Sequence, residues 1–320
     1  MNPGRRTSIS RRLRVRAPAL LLTFALAAVT LGSCGPGAAT SGQGPAGTAA
    51  GATSVPSVRA GDDTVVVVAA GDIASTPEAG EATADLISTL APDAVLALGD
   101  NAYENGSAQD YMSNYDPSWG QLKDITKPVP GNHDYRTDEA AGYFDYFRDQ
   151  IHDQAYYAWD AGRWRMYALN CEIACDSGSA QLRWLTQELA TRTGAPSLAY
   201  VHQPLYSCST GHKPLERLGD IWQVLLDGGG QLMLAGHNHA YERFARQDAR
   251  GGLSSDGLRQ FVVGTGGDEL YPLTSPCPHR EAQTDGTAGV LRLELRADSY
   301  TWQFIGVDGV VLDSGVEQLS

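Results

Sequence analysis

Five apolar runs in this chain of 320 residues end in the same way, and that repetition constrains the fold more than any other feature. The endings are Gly71-Asp72, Gly99-Asp100, Gly131-Asn132-His133, Val201-His202 and Gly236-His237-Asn238-His239. Each is a strand-like segment that turns sharply into a residue of metal-ligand type. One Asp after Gly is an ordinary turn or helix cap. Five in order, each at the carboxyl end of a strand, converge on one edge of a sheet, where open α/β folds hold their chemistry.

Strands and helices alternate between these ends. "TVVVVAAGD" reads as a buried strand, and Ala82, Leu86, Ile87 and Leu90 follow it at helical spacing. "DAVLALGD" is a second strand, whose Asp100 comes about thirty residues after Asp72, the length of one βαβ unit. "KPVPGNHD" reads as a short third strand and "AAGYFDYF" as a helix. "AYYAWDAG" and "RWRMYALN" flank a Gly turn and read as a hairpin. Leu182, Leu185 and Leu189 mark a helix, and "SLAYVHQP" marks the next strand. Leu218, Ile221, Trp222 and Leu225 form a helical stripe closed by Gly228–Gly230, before the buried strand "QLMLAGHNH". From "LRQFVVGTGG" onward, alternating residues and Asp-Gly turns predict antiparallel strands that complete a second sheet. Residues 63–320 are therefore expected to form one α/β domain, a two-sheet sandwich with helices outside. The loops at 104–127 and 205–216 follow no pattern that sequence can read.

The first 34 residues are expected to lie outside that fold. Arg5, Arg6, Arg11, Arg12, Arg14 and Arg16 precede an apolar run from Ala17 to Leu31, and "LGSC" follows. This is the layout of a secretory signal, and the run is shorter than the about 20 residues needed to span a bilayer. Leu31-Gly32-Ser33-Cys34 resembles a bacterial lipobox, which implies lipid attachment at Cys34 and export to the outer face of the cell membrane, or secretion. Residues 35–62, rich in Gly, Ala, Ser, Thr and Pro, are expected to be a flexible tether. The formal net charge is −13, and removing the six leader arginines makes the remainder more acidic still. An acidic surface argues against nucleic acid as a bound partner. It leaves room for a small phosphate ester, because a metal site supplies local positive charge. Cys171, Cys175, Cys208 and Cys277 remain after the lipobox cysteine. Three disulfide pairings are open, with Cys171–Cys175 and Cys208–Cys277 preferred.

The series GD…GDNAY…GNHD…H…GHNH resembles the calcineurin-like metallophosphoesterases, and within them the purple acid phosphatase branch. The likeness covers nearly all of 63–320 and implies a four-layer αββα sandwich around two metal ions. Many members of the superfamily carry D-x-H at the first motif, but here the third position is Ala74. The purple branch uses the tyrosine of GDxxY instead, which is Tyr103.

The resemblance implies a first metal held by Asp72, Asp100, Tyr103 and His239. The second would be held by Asp100 as bridge, Asn132, His202 and His237. Fe³⁺ is implied at the Tyr103 site, with divalent Fe, Zn or Mn at the other. Oxygen and imidazole donors without thiolate suit those ions. His133 is implied as proton donor to the leaving group and His212 as a second catalytic and substrate-binding residue, with Asn132 also touching substrate. The activity implied is hydrolysis of phosphomonoesters by a metal-bound hydroxide. A phosphodiesterase or nucleotide hydrolase on the same metal core is the alternative, and a catalytically dead binding module is a more distant one. Tyr241, Glu242 and Arg243 are expected to support the ligands, while His152 and His279 read as surface residues.

Overall fold

In the computed structural model, which describes residues 64–319, strand β1 (Val65–Ala70) is apolar throughout because both its faces are covered. The leader, lipobox and tether lie outside the described residues. Helix Glu81–Leu90 returns the chain to β2 (Ala94–Ala97), parallel to β1. The hairpin β3 (Tyr157–Ala161) and β4 (Trp164–Ala168) turns at Gly162, as its sequence predicts. Helix Ala180–Thr191 leads to β5 (Ser197–Val201), and helix Leu218–Asp227 leads to β6 (Gly230–Ala235). The remaining strands are β7 (Tyr241–Phe244), β8 (Arg259–Val263), β9 (Arg280–Thr284), β10 (Gly289–Leu295), β11 (Ser299–Gly306) and β12 (Val311–Gln318).

These strands form two mixed sheets with flanking helices, an α/β sandwich. One sheet has the order β12-β11-β10-β1-β2, and the other β3-β4-β5-β6-β8-β7-β9. Strands β5 and β6 alternate between two cores. Leu198, Tyr200, Leu232 and Leu234 join β1 and β10 residues between the sheets. Ala199, Val201 and Met233 pack instead with Leu185, Ile221 and Trp222 of the helices. Burial on both faces is why these parallel strands read as unbroken apolar runs.

Three expectations need correction. The final strands do not complete the second sheet: β10 pairs antiparallel with β1, and β11 and β12 extend that first sheet outward. Strand β8 does join the second sheet, but parallel to β6. The third strand at "KPVPGNHD" is reduced to isolated bridges, Val95 with Thr126 and Leu98 with Val129. Pro128 and Pro130 have no N–H to offer a ladder, so the segment follows β2 without becoming a strand.

Candidate metal centre

The parallel strands β1 and β2 end side by side, and each turns into its carboxylate through a left-handed residue. Asp72 has φ 60° and Asp100 φ 49°, and His237 after β6 has φ 69°. Such values are uncommon outside glycine and are tolerated best by short polar side chains. The preceding glycines make room. A Cβ on Gly99 (φ 85°) would lie 2.6 Å from His202 Nδ1, and one on Gly131 would lie 2.2 Å from Asp100 Oδ1. The Gly-Asp and Gly-Asn signatures thus record how closely the backbone approaches the next ligand.

Each buried carboxylate spends one oxygen on the backbone and keeps the other. Asp72 Oδ2 accepts from the His237 N–H at 2.7 Å, and Asp100 Oδ1 from the His133 N–H at 2.7 Å. The spared oxygens head two donor groups. Asp72 Oδ1, Tyr103 Oη and His239 Nε2 lie 3.3 Å from one another, with Asp100 Oδ2 3.5 Å from Tyr103 Oη. In the second group, His202 Nε2 lies 3.3 Å from Asp100 Oδ2, 3.2 Å from Asn132 Oδ1 and 3.2 Å from His237 Nδ1. Asp100 Oδ2 belongs to both.

These separations test whether metal ions fit. The Tyr103 contacts are long for O–H···O hydrogen bonds. They match the about 3.3 Å between neighbouring ligands of a tetrahedral ion bound at roughly 2.0–2.1 Å. Two imidazoles are also aimed by their far nitrogens: His202 Nδ1 donates to Leu98 O at 2.9 Å, and His239 Nδ1 to Glu269 O at 2.7 Å. Hydrogen bonds of this kind fix the tautomer and the orientation of ligating histidines. The donor set and its spacing fit two cations.

Electrostatics agree. Burial works to raise the Asp100 pKa, but the charge and contact of His202 hold it well below the usual carboxylate range. Burial works to lower the His202 pKa, and Asp100 overrides it, up to about 10. His239 is likewise carried up against burial by Asp72, to about 8. His237, desolvated by burial and beside His202, falls to about 2. Burial and the charges of Asp72 and Asp100 push Tyr103 well above 10. Protons on His202 and His239 offset the carboxylates, a role that bound cations would take over.

His133 and His212 lie on different sides of the rim. The His133 ring packs against Tyr103 at 4.4 Å between centroids, with Nε2 3.9 Å from Asp100 Oδ2. His212 stacks over His237 at 4.3 Å, and its N–H donates to Asn238 Oδ1 at 3.0 Å. Cys171–Cys175 and Cys208–Cys277 are disulfides, the preferred pairing. Cys208–Cys277 joins the His212 loop to the segment before β9. Tyr241, Glu242 and Arg243 work at a remove. Glu242 is fully buried and holds that loop through Ser207 Oγ and the Cys208 N–H, while Tyr241 and Arg243 bind Asp313 of β12. His152 caps the short helix Arg148–Ile151 and His279 is exposed.

Sequence reasoning missed several supporting residues. Asp134 is fully buried and accepts from Tyr111 Oη at 2.6 Å, the Gly131 N–H at 2.8 Å and Asn101 Nδ2 at 3.1 Å. It ties the GDN turn to the GNHD turn, and burial with nearby Asp100 pushes its pKa up to about 7. Its place as the last letter of GNHD was the available signal. Tyr271 stacks on His239 at 4.1 Å, and nothing in the linear sequence points to it.

A family model described as calcineurin-like phosphoesterase matches residues 64–241. Similar solved structures include purple acid phosphatase PPD1 from yellow lupin (Lupinus luteus) seeds, with TM-score 0.66, 18% identity and 80% of this chain covered. This chain covers 54% of the lupin chain, about half its length. GAP50, the anchor in the inner membrane complex of Plasmodium, aligns with TM-score 0.62 at 13% identity, covering 80% of this chain and 89% of that one. A dimetal phosphatase from Danio rerio aligns with TM-score 0.56 at 13% identity, covering 80% and 99%. At such identities the likeness shows a shared fold. No curated protein matches the sequence. Since the family model spans more than half of the chain and the sandwich is the expected one, the protein belongs to the calcineurin-like phosphoesterases.

Proposed function

We propose that the protein is a phosphatase that hydrolyses phosphomonoesters at a binuclear metal centre. The observation that carries the reading is Asp100 Oδ2, which stands in both donor groups and so can bridge two ions. Asp72, Tyr103 and His239 would complete the first site, and Asn132, His202 and His237 the second. A phenolate is a hard anionic donor, which favours Fe³⁺ at the first site and leaves divalent Fe, Zn or Mn for the second. Bound there, such ions would polarise the phosphoryl group and make water a competent nucleophile at moderate pH.

The chain's own residues supply the rest. Asn132 and His212 would orient the phosphoryl group from the second-site side, His212 from its place over His237. His133 would hold the proton that the departing alcohol needs. The basic leader, the short apolar run after it and "LGSC" support export with a lipid anchor at Cys34, on the outer face of the membrane. The test is reconstitution with iron plus zinc or manganese, followed by assay on nitrophenyl phosphate and bis-nitrophenyl phosphate. A kcat/KM at least about tenfold higher on the monoester is expected. Preference for the diester would overturn the monoesterase assignment.

A further inference from the structure

The GNHD turn runs on into Tyr135 and Arg136, and the Arg136 guanidinium folds back to the proton-donor side of the centre. Its Nη2 lies 2.9 Å from His133 Nε2, and its Nη1 lies 3.1 Å from Glu104 O and pairs with the Glu104 carboxylate. Partner chemistry fixes the direction of each bond. A carbonyl only accepts, so His133 Nδ1, 2.9 Å from Glu104 O, carries a proton; a guanidinium only donates, so His133 Nε2 accepts. Nε2 is also the nitrogen nearer the centre, 3.9 Å from Asp100 Oδ2. The atom through which His133 would serve a leaving group is therefore capped by a permanent positive charge.

A surface ion pair with Glu104 accounts for only part of this. Glu104 is 68% exposed and Arg136 45%, and solvent-screened pairs of this kind contribute little to stability. An ion pair does not require the further bond to His133, nor a guanidinium that spans the GDNAY and GNHD turns. A half-exposed guanidinium touching the imidazole is open to an arriving anion, and its planar fork matches phosphate oxygens.

We propose that Arg136 is a further substrate-binding residue, aimed by Glu104. When a phosphate ester binds, the guanidinium exchanges His133 Nε2 for a phosphoryl oxygen. This clamps the ester opposite His212 and uncovers Nε2, which takes up a proton from water before it gives one to the leaving group. The inference rests on the phosphatase reading above and adds an anion-binding residue to it.

Calorimetry on the metal-loaded full chain, with inorganic phosphate as probe, tests it directly. Arg136→Ala is expected to weaken phosphate binding at least about tenfold with metal content unchanged, and Arg136→Lys to restore part of the loss. KM for nitrophenyl phosphate should rise in parallel. Unchanged phosphate affinity in Arg136→Ala, or loss of metal from it, would overturn the role. A wild-type protein that binds phosphate through Arg136 yet hydrolyses neither ester would remove the hydrolase reading and leave this one standing. A metal-loaded wild type that hydrolyses nitrophenyl phosphate yet binds no phosphate would overturn the Arg136 role and leave the hydrolase reading standing.

Discussion

Tyr103 sits almost wholly buried beside two carboxylates, where a free phenol has every reason to keep its proton. Only a cation makes the phenolate favourable there. Tyr103→Phe should therefore bleach the visible tyrosine-to-iron absorption of an iron-loaded protein and weaken metal retention. Tyr135→Phe, whose hydroxyl accepts from Asn170 Nδ2 at 2.9 Å, should do neither, and absorption spectra of the two variants check this. His133→Ala should cost about 10²–10⁴-fold on alkyl esters and clearly less on nitrophenyl phosphate, which leaves without help. Equal losses on both would remove the proton-donor role. Asp134→Asn would turn an amide toward donors that now meet a carboxylate, and should lower stability by about 2–3 kcal/mol in denaturant titrations. The Asp, Asn and His candidates were legible in the sequence, because each is of metal-ligand type at or just past the end of an apolar run, while Tyr103 was found only through the family resemblance. Asp134 and Tyr271 were less legible. One acts through hydrogen bonds and the other through stacking, and neither leaves a pattern of spacing.

Protonation ties residues to elements. In the metal-free protein His202 titrates near 10 and His239 near 8, both above the ordinary 6.5. Their contribution to stability is fully present below pH 6.5 and is lost as pH rises through 8 and then 10. Metal binding must expel those protons, so metal affinity should rise over the same range. Thermal melts of stripped and loaded protein should thus diverge as pH rises from 6.5, and parallel curves would contradict the assignment. The Cys208–Cys277 link, 69 residues apart in sequence, closes a long loop around the site's rim. Its removal in Cys208→Ser/Cys277→Ser should cost about 4 kcal/mol on chain entropy. Elements buried on both faces were read correctly, since an unbroken apolar run leaves little choice. Strands β7 and β9 escaped notice: "REAQT" carries charge on an outer strand, and "YERF" directly follows the metal motif.

The sandwich closes through strands far apart in the chain, β1 pairing with β10 and β6 with β8. Alternation identified the late segments as strands but could not say which sheet would take them, because any edge of suitable register satisfies the same pattern. Cys34→Ser should move the protein from the membrane fraction to the medium, and a wild type already soluble outside the cell would contradict the anchor. The proposed centre is a pair of cations sharing Asp100, with Tyr103 among the ligands. Anomalous diffraction from crystals of the metal-loaded protein tests it most directly. Two ions are expected, both bound by Asp100, the first within roughly 2.0–2.2 Å of Tyr103 Oη and His239 Nε2. A single ion, or a Tyr103 oxygen beyond coordinating distance of either, would contradict the claim.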